Sequence, residues 1–421
     1  MARFESLAAW LNWQEQLHPR PIDLGLERVA EVYQQLNQGR PKITTITVAG
    51  TNGKGSCVAY LEAIYLAQGY RVGAYTSPHI LRYNERIRIN GQPVDDETIC
   101  QSFERIDKLR GETSLSYFEF STLAGLDIFS DANLDIQLLE VGLGGRLDAV
   151  NIIDPDVALV TTIALDHVEW LGHTEEAIAK EKAGIFRTGK PAIFGDQPAQ
   201  QGLIQVAEQK QANLFQLGLD YQYAKDFLTW DWFNGNNNLY NLPLPVFKGE
   251  HQYRNAAAVL MAVSCLQSVL PVAFETIAQG LQNAQLKGRF QFISGSPSIL
   301  LDVGHNPQAV QTLIEHLREN FATVKIHAVF AMMKDKDIAT VIAMMKPYVA
   351  NWYLAPLLNP RAASQELLIE YFQQHNITNV YSGYGDCAAA FKAAQNKAQV
   401  GDLILVFGSF FLVSEYLAKF T

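Results

Sequence analysis

The stretch Gly50-Thr51-Asn52-Gly53-Lys54-Gly55-Ser56 lies between a β-like run, Ile43 to Val48, and a helix-like run, Cys57 to Gln68, that Gly69 closes. Glycines let the backbone curl so that its N–H groups converge on an anion, and the new helix adds its positive N-terminal end. Lys54 has the reach to meet outer phosphates, and the Ser56 hydroxyl suits Mg²⁺. The stretch therefore predicts a nucleoside triphosphate held at the end of a strand. Its spacing is not the usual one. The position five residues before Gly53, normally glycine, is Val48, and Gly50 lies only three before Gly53.

A chain of 421 residues suffices for two or three domains, each with its own core. Its formal net charge of −10 argues against nucleic acid and leaves an anionic substrate to a local basic site. The cysteines Cys57, Cys100, Cys265 and Cys387 are too scattered for a metal pair and suit a reducing compartment. Cys57, at a helix start, is read as a packing residue, although a lowered thiol pKa is open there. The N-terminus, with Glu5, Trp10, Asn12 and Glu15, has the character of an amphipathic helix and not of a signal peptide. The uncharged run Asn255 to Phe274 contains Ser264, Gln267, Ser268 and Pro271 and is expected to be a buried helix, not a membrane span. A cytoplasmic protein with no membrane or nucleic-acid partner is expected, and no coiled-coil pattern argues against a monomer.

Along the chain, residues 1–40 carry Phe4, Leu7, Leu11 and then Leu26, Val29, Val32, Leu36 at helical spacing. The 49 residues ahead of Gly50 leave no room for a separate domain. Tyr70 to Thr76 is a short strand ending in Ser77-Pro78-His79. Arg82, Arg86 and Arg88 fall near a strand end, as either a solvated face or an anion-contacting loop. Leu134 to Val141 is a buried strand ending at Glu140, followed by a Gly142–Asp148 loop that lacks the third glycine of the dinucleotide fingerprint. Val157 to Ile163 leads to Asp166-His167, and a helix from Thr174 carries Lys180, Glu181 and Lys182. Residues 214–250 are expected to form a small antiparallel extension.

Repeated strand–loop–helix units with polar residues at strand ends indicate a doubly wound α/β fold. A first domain over 1–285 is expected, then a linker over 286–297 and a second α/β domain over 298–421. The second domain should open helices near Pro307, Asp337, Ser364 and Asp386. Ser56, Ser77, Glu140 and His167 are candidates to converge on one sheet edge, where Mg²⁺ would find hard oxygen ligands. In the second domain Asp302-Val303-Gly304-His305-Asn306-Pro307 repeats the strand-end pattern, with Asn306 before Pro307 as a helix cap.

These motifs together resemble the folylpolyglutamate synthase/dihydrofolate synthase family of the Mur ligase superfamily. The resemblance runs through the shortened loop Gly50 to Ser56, Thr76 to His79, Arg82 to Arg86, Tyr117-Phe118-Glu119 and Glu140 to Asn151. It continues in Asp166-His167, Glu181 to Ile185, Gly288-Arg289-Phe290, Asp302 to Pro307, Lys334 to Asp337 and Arg361 to Ser364. Gly304, where alanine is usual, and Ala331, where glycine is common, depart from the pattern. The resemblance implies a P-loop domain with a mostly parallel sheet and a smaller Rossmann-like C-terminal α/β domain. It implies ATP-dependent addition of L-glutamate to dihydropteroate and to reduced folates; a synthase of folylpolyglutamate alone, or another Mur-type amino-acid ligase, are the alternatives. It places ATP at Gly50, Thr51, Asn52, Gly53, Lys54, Gly55, Ser56, Asn255, Arg289, Asp302 and His305. Mg²⁺, in two sites, falls to Ser56, Ser77, Glu140, His167 and a carbamylated Lys182. The pterin side falls to Arg82, Phe118, Asp148 and Ala149. Catalysis falls to Lys54, His167, Lys182 and Arg289.

Overall fold

A computed structural model describes residues 3–20 and 22–420. The chain divides into two compact units, residues 1–246 with 252–285, and residues 247–251 with 286–421. The first holds eight strands in one sheet: β1 (Thr44–Ala49), β2 (Val72–Tyr75), β3 (Ile87–Ile89), β4 (Gln92–Pro93), β5 (Ile136–Glu140), β6 (Val157–Val160), β7 (Pro191–Phe194) and β8 (Asn213–Gln216). Their order is β4-β3-β2-β5-β1-β6-β7-β8. In that order the strands from β2 through β8 run parallel, while β3 pairs antiparallel with β2, and β4 antiparallel with β3, at one edge.

β1 is central, and its neighbours β5 and β6 are fully buried. That burial explains the apolar run of β6, since helices cover both faces of a parallel sheet, while the buried Gln137 of β5 donates to Thr45 Oγ1 at 2.9 Å. The chain leaves β1 for β2 on one side and later returns to β6 on the other, so the end of β1 is a topological switch point. The phosphate-loop sequence is placed there.

Several expectations change in detail. The two sets of helically spaced apolar residues ahead of the loop mark two helices, Leu7–Leu17 and Glu27–Leu36. Pro19 supplies no amide donor where the first would continue. The phosphate-loop helix starts at Lys54, earlier than Cys57, so Ser56 lies in its first turn and not at a strand end. The uncharged run from Asn255 is helical only to Cys265, and a second helix begins at Phe274. Of residues 214–250, β8 joins the main sheet in parallel, while β9 (Gln222–Lys225), β10 (Thr229–Phe233) and β11 (Leu239–Pro243) form the antiparallel extension.

The second unit has β12 (Gln291–Ile293), β13 (Ser298–Asp302), β14 (Ile326–Phe330), β15 (Val349–Leu354), β16 (Val380–Tyr381) and β17 (Leu403–Phe407) in the order β12-β13-β17-β14-β15-β16. All pairs but β12–β13 are parallel. β12 lies within the stretch expected as a linker. The helices open where the sequence signals them. Asn306, Asp337, Ser364 and Asp386 each cap the next helix by accepting from the backbone N–H three residues on. Among the described residues no helix is long and apolar enough to cross a membrane.

Candidate functional site

The loop after β1 is held from behind. Thr51 N donates to Thr162 O at 2.8 Å, and Asn52 N donates to Thr162 Oγ1 at 3.1 Å. Gly50 has φ +142°, and a Cβ on it would stand 1.8 Å from Thr161 Oγ1, so only glycine fits. Lys54 curls over its own loop, with Nζ 2.9 Å from Gly50 O and 3.2 Å from Thr51 O. A lysine in this pose leaves the loop's carbonyls for phosphate oxygens with little rearrangement of its stem. Ser56 is buried, and its hydroxyl accepts from Gln252 Nε2 at 3.3 Å. Asn255 Nδ2 donates in turn to Gln252 Oε1 at 3.1 Å. Cys57 is fully buried, and burial, then the Glu140 charge, pushes its thiol up, so it packs and does not react.

Strand register brings the next groups in. Glu140, last residue of β5, is level with Val48 of β1, and Tyr75 of β2 is level with Leu139. The chain beyond β2 therefore passes the Glu140 side chain, and Ser77 N donates to Glu140 Oε2 at 3.1 Å. After β6, His167 takes a left-handed conformation (φ 50°) and its N–H donates to Asp166 Oδ1 at 2.9 Å.

No group of three or more His, Cys, Asp or Glu side chains among the described residues gathers closely enough to hold a metal by itself. What is present is the buried Glu140 carboxylate, which accepts from the Ser77 backbone N–H and so has Ser77 beside it. That set fits Mg²⁺, which keeps waters and takes its other oxygens from phosphate, and fits poorly a metal needing a full protein cage.

Lys182 ends the helix Glu175–Lys182 and is 4% exposed. Burial first, then the Lys54 cation, lowers its amine to about 7, while Asp166 and Asp148 pull it back up. At neutral pH a substantial fraction of this amine is uncharged, the state in which an amine adds CO₂. The segment is pinned by the loop after β5, since Arg146 N donates to Glu181 O at 2.8 Å. A Cβ on Gly145 would stand 2.8 Å from both Glu181 O and Lys182 O, which are backbone atoms with nowhere to go. Gly145→Ala is therefore expected to lower stability by about 2 kcal/mol and activity at least tenfold. Gly385→Ala, where a Cβ meets nothing within 4 Å, should be neutral in the same denaturant unfolding and rate assays.

Four residues were expected on the pterin side. Phe118 is in the first turn of the helix Tyr117–Asp131, which Ser116 and Glu119 close with a capping box. Its ring packs over Gly142, 6.2 Å from the Tyr75 ring. Asp148 is buried and accepts from Leu143 N at 2.8 Å and Val150 N at 3.0 Å. Burial raises its carboxyl to about 6, against the pull of those amides and of Lys54. Ala149 follows in a buried turn. Arg82 stands apart, exposed and paired with Asp96 at 3.2 Å.

Its neighbours fit neither of the readings offered for the arginine run. Arg86 is buried and donates to His79 Nδ1 at 2.9 Å, with the Tyr83 and Tyr117 rings each 5.6 Å away. Arg88 clasps Glu62 at 2.7 Å. Arg86 is rolled inward by the short 3₁₀ turn Tyr83–Arg86 that it ends, whereas Arg88 lies in β3 and is drawn in by its ion pair with Glu62 of the phosphate-loop helix.

In the second unit Asp302 ends β13, with Oδ1 accepting from Gly304 N at 2.7 Å and Oδ2 from Phe290 N at 3.2 Å. Burial raises its carboxyl, opposed first by Arg289. Arg289 lies 5.5 Å over the Phe410 ring, and the His305 ring is 5.9 Å from the same ring. These three residues thus cluster at the end of β13.

In the first unit the structure gathers Lys54, Asp148, Asp166 and Lys182 into one electrostatic group, with the Ser77–Glu140 pair. It also draws in Thr161, Thr162 and Gln252, which sequence reasoning missed. A threonine pair directly after an apolar strand was a usable signal, as was a glutamine one helical turn before Asn255.

Comparison with known proteins gives the family. The family described as Mur ligase middle domain matches residues 48–263, and the Mur ligase, glutamate ligase domain matches residues 288–410. The dihydrofolate synthase/folylpolyglutamate synthase of Escherichia coli (strain K12) is 43% identical, over 98% of this chain and 94% of that protein. A solved structure of Escherichia coli FolC in complex with DHPP and ADP superposes with a TM-score of 0.93 at 43% identity, covering 98% of this chain and 97% of that one. A bifunctional folylpolyglutamate synthase/dihydrofolate synthase with Mn, AMPPNP and L-glutamate bound has a TM-score of 0.90 at 44% identity, covering 98% of each chain. The chain belongs to the Mur ligase family, in its dihydrofolate synthase/folylpolyglutamate synthase branch.

Proposed function

We propose that the protein is an ATP-dependent amide ligase that joins L-glutamate to dihydropteroate, giving dihydrofolate, and to tetrahydrofolate or its polyglutamates. The observation that carries this reading is the charge group at the phosphate loop, where Lys54 Nζ lies over Gly50 O and Thr51 O, the Lys182 amine feels Lys54, Asp166 and Asp148, and Asp148 feels Lys54. Two lysines and several carboxylates around a phosphate loop suit transfer of a phosphoryl group onto a carboxylate.

A carboxylate is a poor acyl donor because its oxygen is a bad leaving group. In the proposed reaction a carboxylate oxygen of the pterin acid attacks the γ-phosphorus, and the bond to the β-phosphate oxygen breaks, releasing ADP. The glutamate amine then attacks the carbonyl of the acyl phosphate and loses a proton. The C–O bond breaks, and phosphate leaves. Lys54 neutralises charge on the moving phosphoryl oxygens, and the loop orients them. We assign nucleotide binding to the loop of residues 50–56, through its backbone N–H groups and the Lys54 and Ser56 side chains, with Asn255, and in the second unit to Arg289, Asp302 and His305. Glu140, Ser77, Ser56 and His167 would hold Mg²⁺, with Lys182 as a further ligand once carbamylated. When bound, the metal supplies positive charge to the phosphate oxygens. We assign Phe118, Asp148, Ala149 and Arg82 to the pterin side, where the Phe118 ring offers a flat apolar surface. The reading extends to a monomeric cytoplasmic enzyme whose partners are these small molecules.

The test is direct. The purified protein is incubated with ATP, Mg²⁺ and glutamate plus either dihydropteroate or tetrahydrofolate, and product masses are read. A gain of one glutamyl residue is expected with both acids. No dihydropteroate product would leave a folylpolyglutamate synthase alone, and no glutamate dependence with either would sink the ligase reading.

A further inference from the structure

The Thr51 hydroxyl is used twice by one residue. It donates to Ala164 O at 3.2 Å and accepts from Ala164 N at 3.1 Å. A hydroxyl has a single proton, so its donor capacity is spent inside the protein. The same two loops meet through four more bonds. Thr51 N reaches Thr162 O and Asn52 N reaches Thr162 Oγ1. The Thr161 and Thr162 hydroxyls both turn to Asn52 O, at 2.6 Å and 3.3 Å. The β1–β6 ladder ends at Ala49 and Val160, and beyond those residues side-chain bonds join the backbone bond from Thr51 N to Thr162 O. Asp166 and His167 follow Ala164 within three residues. The Thr51 side chain, a short β-branched hydroxyl next to the loop's first glycine, is therefore a two-point tie between the phosphate loop and the segment that carries His167.

We propose that Thr51 is a positioning residue whose side chain does not bind the nucleotide but sets where His167, and hence the divalent metal, stands relative to the phosphate loop. This rests on the assignment of His167 to the metal made above. The metal must meet phosphate oxygens and protein ligands at the same time, so the offset between the two loops fixes whether both can be reached. Residues that orient a metal ligand commonly matter ten- to a hundredfold in affinity. Thr51→Val keeps the shape and leaves Ala164 N–H and C=O without their partner. Thr51→Ser keeps the hydroxyl and loses only the methyl.

The test measures Mn²⁺ binding to the full chain by electron paramagnetic resonance with a non-hydrolysable ATP analogue, and ADP binding in metal-free buffer by calorimetry. Thermal unfolding checks that each variant is folded. Thr51→Val is expected to weaken Mn²⁺ binding about tenfold, leave metal-free ADP binding unchanged, and raise the Mg²⁺ needed for half-maximal rate in parallel. Thr51→Ser should restore all three. His167→Ala should weaken Mn²⁺ at least as much, and the double variant should add little to it, because both changes act on one ligand. Metal-free ADP binding that weakens along with Mn²⁺ binding in Thr51→Val would make Thr51 a nucleotide support and overturn the proposal. Unchanged Mn²⁺ binding in Thr51→Val, with a loss in His167→Ala, would overturn it while leaving the metal assignment standing. Unchanged Mn²⁺ binding in His167→Ala would remove that assignment and the proposal with it.

Discussion

Lys54→Met is expected to lower turnover by about a thousandfold, the scale set by removing a preorganised charge from a developing oxyanion. Methionine keeps the apolar stem, so the loop stays filled, and the change is chiefly one of charge. In the structure the ammonium bridges Gly50 O and Thr51 O. Its loss leaves two carbonyls to face the phosphates with no cation between them. The KM for the pterin acid should move little, since Phe118, in the helix Tyr117–Asp131, and Gly142, after β5, lie outside the phosphate loop. A second effect should accompany the first. The Lys54 charge is the second cause, after burial, of the low Lys182 pKa. Without it the Lys182 amine should titrate higher than about 7, which selective isotope labelling and NMR would read. Steady-state kinetics with turnover within threefold of the parent would contradict the role given to Lys54.

Lys182→Met is expected to cost about a hundredfold or more in rate, the scale of losing a group that holds or orients a metal. The parent protein supplied with ¹³C-labelled CO₂ should show a carbamate carbonyl signal that the variant lacks. Stability should move the other way. In the unfolded chain the amine keeps its proton up to 10.5, but in the folded chain only up to about 7. Between those values the unfolded chain binds more protons, so in metal-free, CO₂-free buffer this group makes the fold more stable as pH rises from 7 towards 10.5. The methionine variant should lose that rise and be no less stable than the parent at neutral pH. Chemical unfolding across this pH range measures both. A variant that is less stable at neutral pH would mean that the amine makes favourable contacts that outweigh its burial.

Much of the fold was legible because local chemistry and long-range placement agreed. Asn306-Pro307, Asp337, Ser364 and Asp386 announce helix starts, and each cap makes the bond its side chain suggests. Gly50 to Ser56 announced a strand-to-helix turn, and register then placed Glu140 level with Val48. What was not legible depends on partners far away in sequence. Thr161 and Thr162 look like strand residues until the fold sets them behind Asn52, over a hundred positions earlier. Arg86 looks exposed until a 3₁₀ turn rolls it inward to His79, and Arg88 of β3 until Glu62, 26 positions earlier, comes to pair with it. Asp148 looked like a ligand-facing acid, yet two of its bonds go to the amides of its own loop. β12 is three residues long among glycine and serine, and only its antiparallel partner β13 makes it a strand.

The central claim is that the phosphate loop drives amide formation by phosphorylating the acid. It is tested most directly with dihydropteroate labelled with ¹⁸O in its carboxylate, incubated with ATP, Mg²⁺ and glutamate. The account expects one ¹⁸O atom to appear in each inorganic phosphate released, because the carboxylate oxygen that attacks phosphorus leaves with it. Dihydrofolate formed alongside phosphate that carries no label would contradict it.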